Sequence, residues 1–173
     1  MDWKREIVIA HLVKQKMAEV DVNCIWENTL PEVAASEEEL QMLEERLGFT
    51  LSPQYRSFLL HANGWIAFKD HIDIFGINDF LGGRRAIKAT ELTDSLDPLK
   101  DLCGFDKRDL MPIAVSSDDI DIMLMTRPHT REPGVIFWFA GGLVDKFSGF
   151  DEWFLAMVDY NRINYQKMVE NRV

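Results

Sequence analysis

The sequence predicts an α+β domain built on a mainly antiparallel sheet. Three observations lead there. Two capped helical segments occupy Ala35–Trp65. Segments of period two replace them after Gly64, and a last helical segment begins near Ser148. Helices first, strands next and a helix last is the order of an α+β fold, not of alternating βαβ units.

Each element has its own signal. From about Trp3 to Val20, Ile7, Val8 and Leu12 lie near helical spacing, although the period is imperfect. "VNCIWENTLPEVAAS" follows as a partly extended connection closed by Pro31. Ser36 then stands three residues before Glu39, the spacing of a capping box. Leu40, Leu43 and Leu47 share one helical face, and Glu37, Glu38, Glu44 and Glu45 fall mostly elsewhere. Gly48 stands where a helix end needs a left-handed residue. Ser52-Pro53 restarts a helix with proline at its first position, where the missing N–H costs nothing. Tyr55, Phe58, Leu59 and Ala62 recur at helical spacing until Asn63-Gly64. The two segments form a helical hairpin with one apolar side.

After Gly64, "WIAFKDHIDIFGI" holds alternating segments, and "LMPIAVSSDDIDIMLMT" reads as two strands around a polar turn at Ser116–Asp119. In the second of these strands Ile120, Ile122 and Leu124 share one face, and Asp121, Met123 and Met125 share the other. "GVIFWFAGGLVDKF" reads as a hairpin through Gly141-Gly142. Between the strand groups, Asn78–Arg108 reads as a loop with short helical turns. The last helix has Ser148 as its cap and Asp151 and Glu152 in its first turn. It carries Phe150, Trp153, Phe154, Met157 and Ile163 toward a core.

A length of 173 residues suits one domain, expected over 1–173, with a substantial core. No stretch approaches the roughly 18 apolar residues of a membrane span. The N-terminus has acidic residues early and lysines within, unlike a signal peptide, so a cytoplasmic location is expected. Cys24 and Cys103 are too few and too far apart for a metal-site spacing or a disulfide framework. The net charge of −10 should repel nucleic-acid phosphates and anionic membranes. It serves either solubility alone or a docking face for a basic protein.

The helical hairpin and the later segments resemble the SUKH superfamily, which includes fungal cell-wall-assembly regulators and many bacterial immunity proteins. The family pattern, roughly E-I-x-x-x-E-x-x-L-G, then L-P-x-x-Y-x-x-F-L, then N-G, is met here by Glu39-Leu40, Glu44, Leu47-Gly48, Leu51, Pro53, Tyr55, Phe58-Leu59 and Asn63-Gly64. "LMPIAVSSDDIDIML", "GVIFWF" and "FSGFDEWFLAMV" are similar to its later strands and closing helix, so the resemblance covers about 30–158. Ser52 departs from the pattern, which more often has leucine directly before the proline. The resemblance implies a curved sheet of about six strands packed by N-terminal helices and a C-terminal helix. It also implies a non-catalytic immunity protein that binds and neutralises a cognate polymorphic or contact-dependent toxin, and the net charge of −10 makes a basic toxin domain the expected partner. The fungal branch implies the alternative of a scaffold or regulatory adaptor.

Candidate chemistry is sparse. Asp118, Asp119 and Asp121 are the densest acidic group outside the helices. They are read as a docking contact, a divalent-cation site or a solvated turn, and no second ligand cluster supports the cation. The four histidines have no H-x-x-x-H spacing. Cys103 would need a base such as His61 brought to it in space. "LGGRRAIK" lacks the lysine and Ser/Thr of a phosphate loop, and Arg84-Arg85 are read as exposed loop charges. Trp65, Phe137, Trp138 and Phe139 form an aromatic cluster in which Trp138 faces away from Phe137 and Phe139. One of those faces is core, and the other is a binding surface or is covered by a helix. The candidate partner-binding residues are therefore Asp118, Asp119, Asp121, Trp138, Glu37 and Glu38, with no cofactor and no metal.

Overall fold

Local sequence signals close the first helices as expected. The computed structural model describes residues 1–96 and 98–170. In it α1 (Trp3–Val20) starts at Asp2, whose carboxylate accepts the Arg5 N–H. The α2 helix (Glu37–Leu47) opens on a complete capping box between Ser36 and Glu39. It ends at Gly48, whose φ of 76° is cheap only without a Cβ. The α3 helix (Pro53–Leu59) opens on the Ser52 cap with proline in its first turn.

The strands β1 (Trp65–Lys69), β2 (Ile72–Ile74), β3 (Leu110–Ser116), β4 (Asp121–Thr126), β5 (Ile136–Ala140) and β6 (Leu143–Phe147) form one open six-stranded sheet. Each pairs antiparallel with its neighbour in chain order, giving a meander. Between β2 and β3 run α4 (Ile77–Phe80), α5 (Arg84–Ser95), α6 (Leu99–Cys103) and a 3-10 turn at Lys107–Asp109. The chain then closes with α7 (Phe150–Glu170).

Helices cover both faces of this sheet. On the first face Trp3, Phe58, Phe150 and Phe154 join α1, α3 and α7, with ring centroids 5.0–5.8 Å apart in the contacts of Trp3 and Phe58. They sit over Met123, Met125, Ile136 and Trp138. On the second face Ala89, Leu96, Leu99 and Phe105 lie over Ile122, Leu124, Phe137 and Phe139. Burial on both sides explains why β4 and β5 read as nearly continuous apolar runs.

Several expectations are corrected. Asn78–Arg108 is not chiefly loop, because α5 spans twelve residues of it. Its only fully buried side chains are Ala89 and Thr93, so its apolar stripe is too thin to show a helical period. In α1 the inward positions are Trp3, Ile7, Ala10, Lys14 and Met17, and Val8 and Leu12 are exposed. Ile120 lies in the turn before β4 and is exposed. Ile163 is exposed as well, beyond the point where Asn161 donates to the Phe68 carbonyl at 3.0 Å.

The hairpin's polar residues act as latches. The Tyr55 hydroxyl donates to the Phe75 carbonyl at 2.7 Å, and Asn63 Oδ1 accepts the Ile77 N–H at 2.8 Å. Gly64 and Gly76 allow the backbone to approach here: a Cβ on Gly76 would overlap the Asn63 carbonyl oxygen. The recurring small-residue Asn-Gly is thus part of the joint between α3 and the end of β2.

A candidate protein-binding surface at one end of the sheet

In an antiparallel meander, alternate turns emerge at the same end. That end here carries the β1–β2 turn at Asp70-His71, the β3–β4 turn at Ser117–Ile120 and the β5–β6 turn at Gly141-Gly142. The first two are tied together, since the Ser117 N–H donates to the His71 carbonyl at 2.8 Å. Asp118 lies 3.6 Å from His71 Nδ1 with 58% of its side chain exposed. The Ser116 hydroxyl donates to Asp118 at 3.2 Å and accepts the Asp119 N–H at 3.0 Å, which fixes the turn. Asp119 is exposed, and its Oδ1 accepts the Ile120 N–H.

Asp121 plays a different part. Its carboxylate accepts the Trp138 indole N–H at 2.6 Å, across from β5. Trp138 is only 9% exposed, with its ring edge-on to Tyr160 of α7 at 5.7 Å. Of the two possibilities for that face, a helix covers it. The structure therefore brings Asp118 and Asp119 together at the tip and places Asp121 and Trp138 beneath them, more buried.

Glu37 and Glu38 belong elsewhere. The α2 helix packs beside α4, which follows the opposite end of β2. Glu37 pairs with Arg56 at 2.7 Å, and Glu44 accepts both Arg56 Nε at 3.3 Å and the Leu51 N–H at 2.9 Å. Glu39 is spent on the capping box. Much of this acidic helix is holding its own hairpin, and Glu38 and Glu45 are exposed.

Sequence reasoning missed the apolar half of the tip. Ile120 in the acidic turn is exposed and packs toward Gly141 of the β5–β6 turn, and Leu143 and Val144 just past that turn are exposed too. The alternation of β6 held the signal, because "LVDKF" has apolar residues on both faces of an edge strand. Only the order of the strands shows that β6 is that edge. The opposite edge, β1, is closed. Lys14 and Thr29 donate to the Ala67 and Ile66 carbonyls, the Glu32 backbone N–H donates to the Gly64 carbonyl at 3.0 Å, and Asp73 Oδ1 accepts the Ala67 N–H at 2.7 Å.

The remaining candidates do not converge. Burial pushes the Cys103 thiol above its ordinary range, and its sulfur contacts the Leu99 carbonyl at 3.3 Å. His61 Nδ1 is engaged by the Ser57 carbonyl at 2.8 Å. Among the described residues no group of three or more His, Cys, Asp or Glu is placed to hold a metal ion. Arg84 and Arg85 are not loop charges but open α5. Arg85 is half-buried, paired with Asp79 at 2.7 Å and Glu32 at 3.4 Å. None of the described helices is long and apolar enough to cross a membrane.

No curated protein matches the chain. A family model does match, over residues 34–156, which takes in the helical hairpin, all six strands and the start of α7. With most of its length inside that match, the chain belongs to the SMI1/KNR4 family (SUKH-1).

Proposed function

We propose that this protein is an immunity protein: a stoichiometric binder that docks a basic toxin domain and blocks it without turnover. The observation that carries the reading is the sheet tip, where exposed Asp118, Asp119 and Ile120 share one end of the sheet with exposed Leu143 and Val144 at the start of β6. Interfaces of this kind combine an apolar centre with a charged rim. The rim steers a partner of opposite charge, and the net charge of −10 adds to the attraction. Family membership is consistent with the role.

The test is co-expression with the product of the adjacent gene. Expected are a one-to-one complex on size exclusion and restored growth of cells producing that toxin. Absence of both a complex and protection would overturn the reading. A complex formed without any protection would favour a regulatory adaptor instead.

A further inference from the structure

The second face of the sheet is only partly roofed. The α5 and α6 helices cover β3, β4 and β5, and a cleft of about 530 Å³ remains toward β1 and β2. Ile66, Asp73 and Val115 form its floor, Arg84, Arg85 and Lys88 line its wall, and Ser116 and Ser117 close one end. The volume lies within the range of small-molecule sites, roughly 300–1,000 Å³.

The charges in this cleft are unevenly spent. Arg85 is matched by Asp79 and Glu32, which take its Nε and one terminal nitrogen. Its other terminal nitrogen, Nη1, is buried and has no hydrogen-bond partner among the described residues. Arg84 and Lys88 stand four apart on one side of α5, and neither has a carboxylate within ion-pair distance among the described residues. Both therefore present free positive charge to the cleft, beside a guanidinium whose Nε and Nη2 are already paired. Residues four apart on a helix are surface neighbours, so both can address one anion. The Ser117 hydroxyl adds a donor that makes no hydrogen bond among the described residues.

The floor sets the rest of the ligand. Asp73 is buried, with Oδ1 held by the Ala67 N–H, and Ile66 and Val115 flank it. A carboxyl there repels an anion above it and accepts a hydrogen bond from an N–H or O–H. The anion is therefore directed to the α5 wall, and a flat, partly apolar group with a donor edge suits the floor. From this juxtaposition the geometry points to a small phosphate monoester of about nucleotide size as the ligand of this cleft. Arg84 and Lys88 take the phosphate, Ser117 assists, and Asp73 takes a donor of the organic part. The overall negative charge does not forbid this, because charges beyond about 8–10 Å are largely screened at ordinary ionic strength.

The site borders the tip through Ser116 and Ser117 but uses neither Asp118 nor Asp119, so it goes beyond the toxin-binding reading and is tested without a partner. Purified protein is titrated with adenosine monophosphate, inorganic phosphate and adenosine, by calorimetry and by amide chemical shifts. Expected are saturable binding of adenosine monophosphate, at least about tenfold weaker binding of phosphate, and shifts centred on Ile66, Arg84, Lys88 and Ser117. The double variant Arg84→Gln/Lys88→Gln, with an unchanged thermal transition, should lose about tenfold or more in affinity, and raised salt should weaken the parent alone. Ser117→Ala is a milder second variant should the double variant fold poorly; it should weaken binding severalfold. Arg85 is left in place because its pair with Asp79 holds the α4–α5 corner. No saturable binding of the monophosphate would overturn the inference. So would binding undiminished in the variants, or equal affinity for inorganic phosphate.

Discussion

Replacing Lys14 by Met should change how stability depends on pH. The Lys14 side chain is 6% exposed, and its ammonium donates to the carbonyls of Glu27, at 2.9 Å, and Ala67. Burial lowers its pKa from 10.5 to about 8, and the carboxylates of Asp70, Glu27 and Asp73 oppose the shift without cancelling it. Below about pH 8 both folded and unfolded chains are protonated at this site, and folding bears the full cost of burying the charge. Between about 8 and 10.5 the unfolded chain holds a proton that the folded chain has released, so stability rises with pH. The whole interval amounts to about 3 kcal/mol, of which about 2 kcal/mol falls between roughly pH 7 and 9.5. Cys103 and Tyr55 act in the opposite sense, since burial raises both and the unfolded chain loses those protons first. The quantity to measure is therefore the difference between parent and Lys14→Met in urea unfolding free energy at each pH. That difference should shift by about 2 kcal/mol in favour of the parent from neutral to alkaline pH. Parallel stability profiles for the two proteins would refute the reasoning and place the Lys14 ammonium in water.

Four further outcomes are expected. Phe58→Ala removes a fully buried ring that touches Trp3, Phe150 and Phe154, and should cost about 3–5 kcal/mol in chemical denaturation. Gly76→Ala drives a methyl group into the Asn63 backbone and should cost about 1–3 kcal/mol by the same measurement, with an unaffected midpoint showing that the joint is looser than described. Tyr55→Phe leaves the Phe75 carbonyl without its donor and should cost about 1–3 kcal/mol. Asp118→Asn with Asp119→Asn, keeping Asp121 for its bond to Trp138, should slow association with a basic toxin severalfold at low salt and converge with the parent at high salt. Stopped-flow kinetics decide this last case, and an unchanged on-rate would move the interface away from the sheet tip.

What the sequence determined by itself is local. The capping box of Ser36 and Glu39, the left-handed Gly48, Pro53 in the first turn of α3 and the Gly141-Gly142 hairpin are each set by interactions within a few residues, so spacing alone exposes them. The alternation of Asp121, Met123 and Met125 against Ile122 and Leu124 is local too, and the two sets do face different cores. Tertiary structure decided whatever depends on which surface comes to lie opposite. The α5 helix buries only Ala89 and Thr93, with Leu92 partly covered and Leu96 at its C-cap, because the sheet beneath supplies Phe137 and Phe139, so its own sequence carries almost no periodic signal. Lys14 takes an inward position that Val8 and Leu12 would have filled on apolarity, because the carbonyls of Glu27 and Ala67 wait there as acceptors. Trp138 is covered by Tyr160, and Arg85 is claimed by Asp79 and Glu32. These are pairings between distant parts of the chain, and a one-dimensional pattern has no term for the partner that burial and hydrogen bonding select.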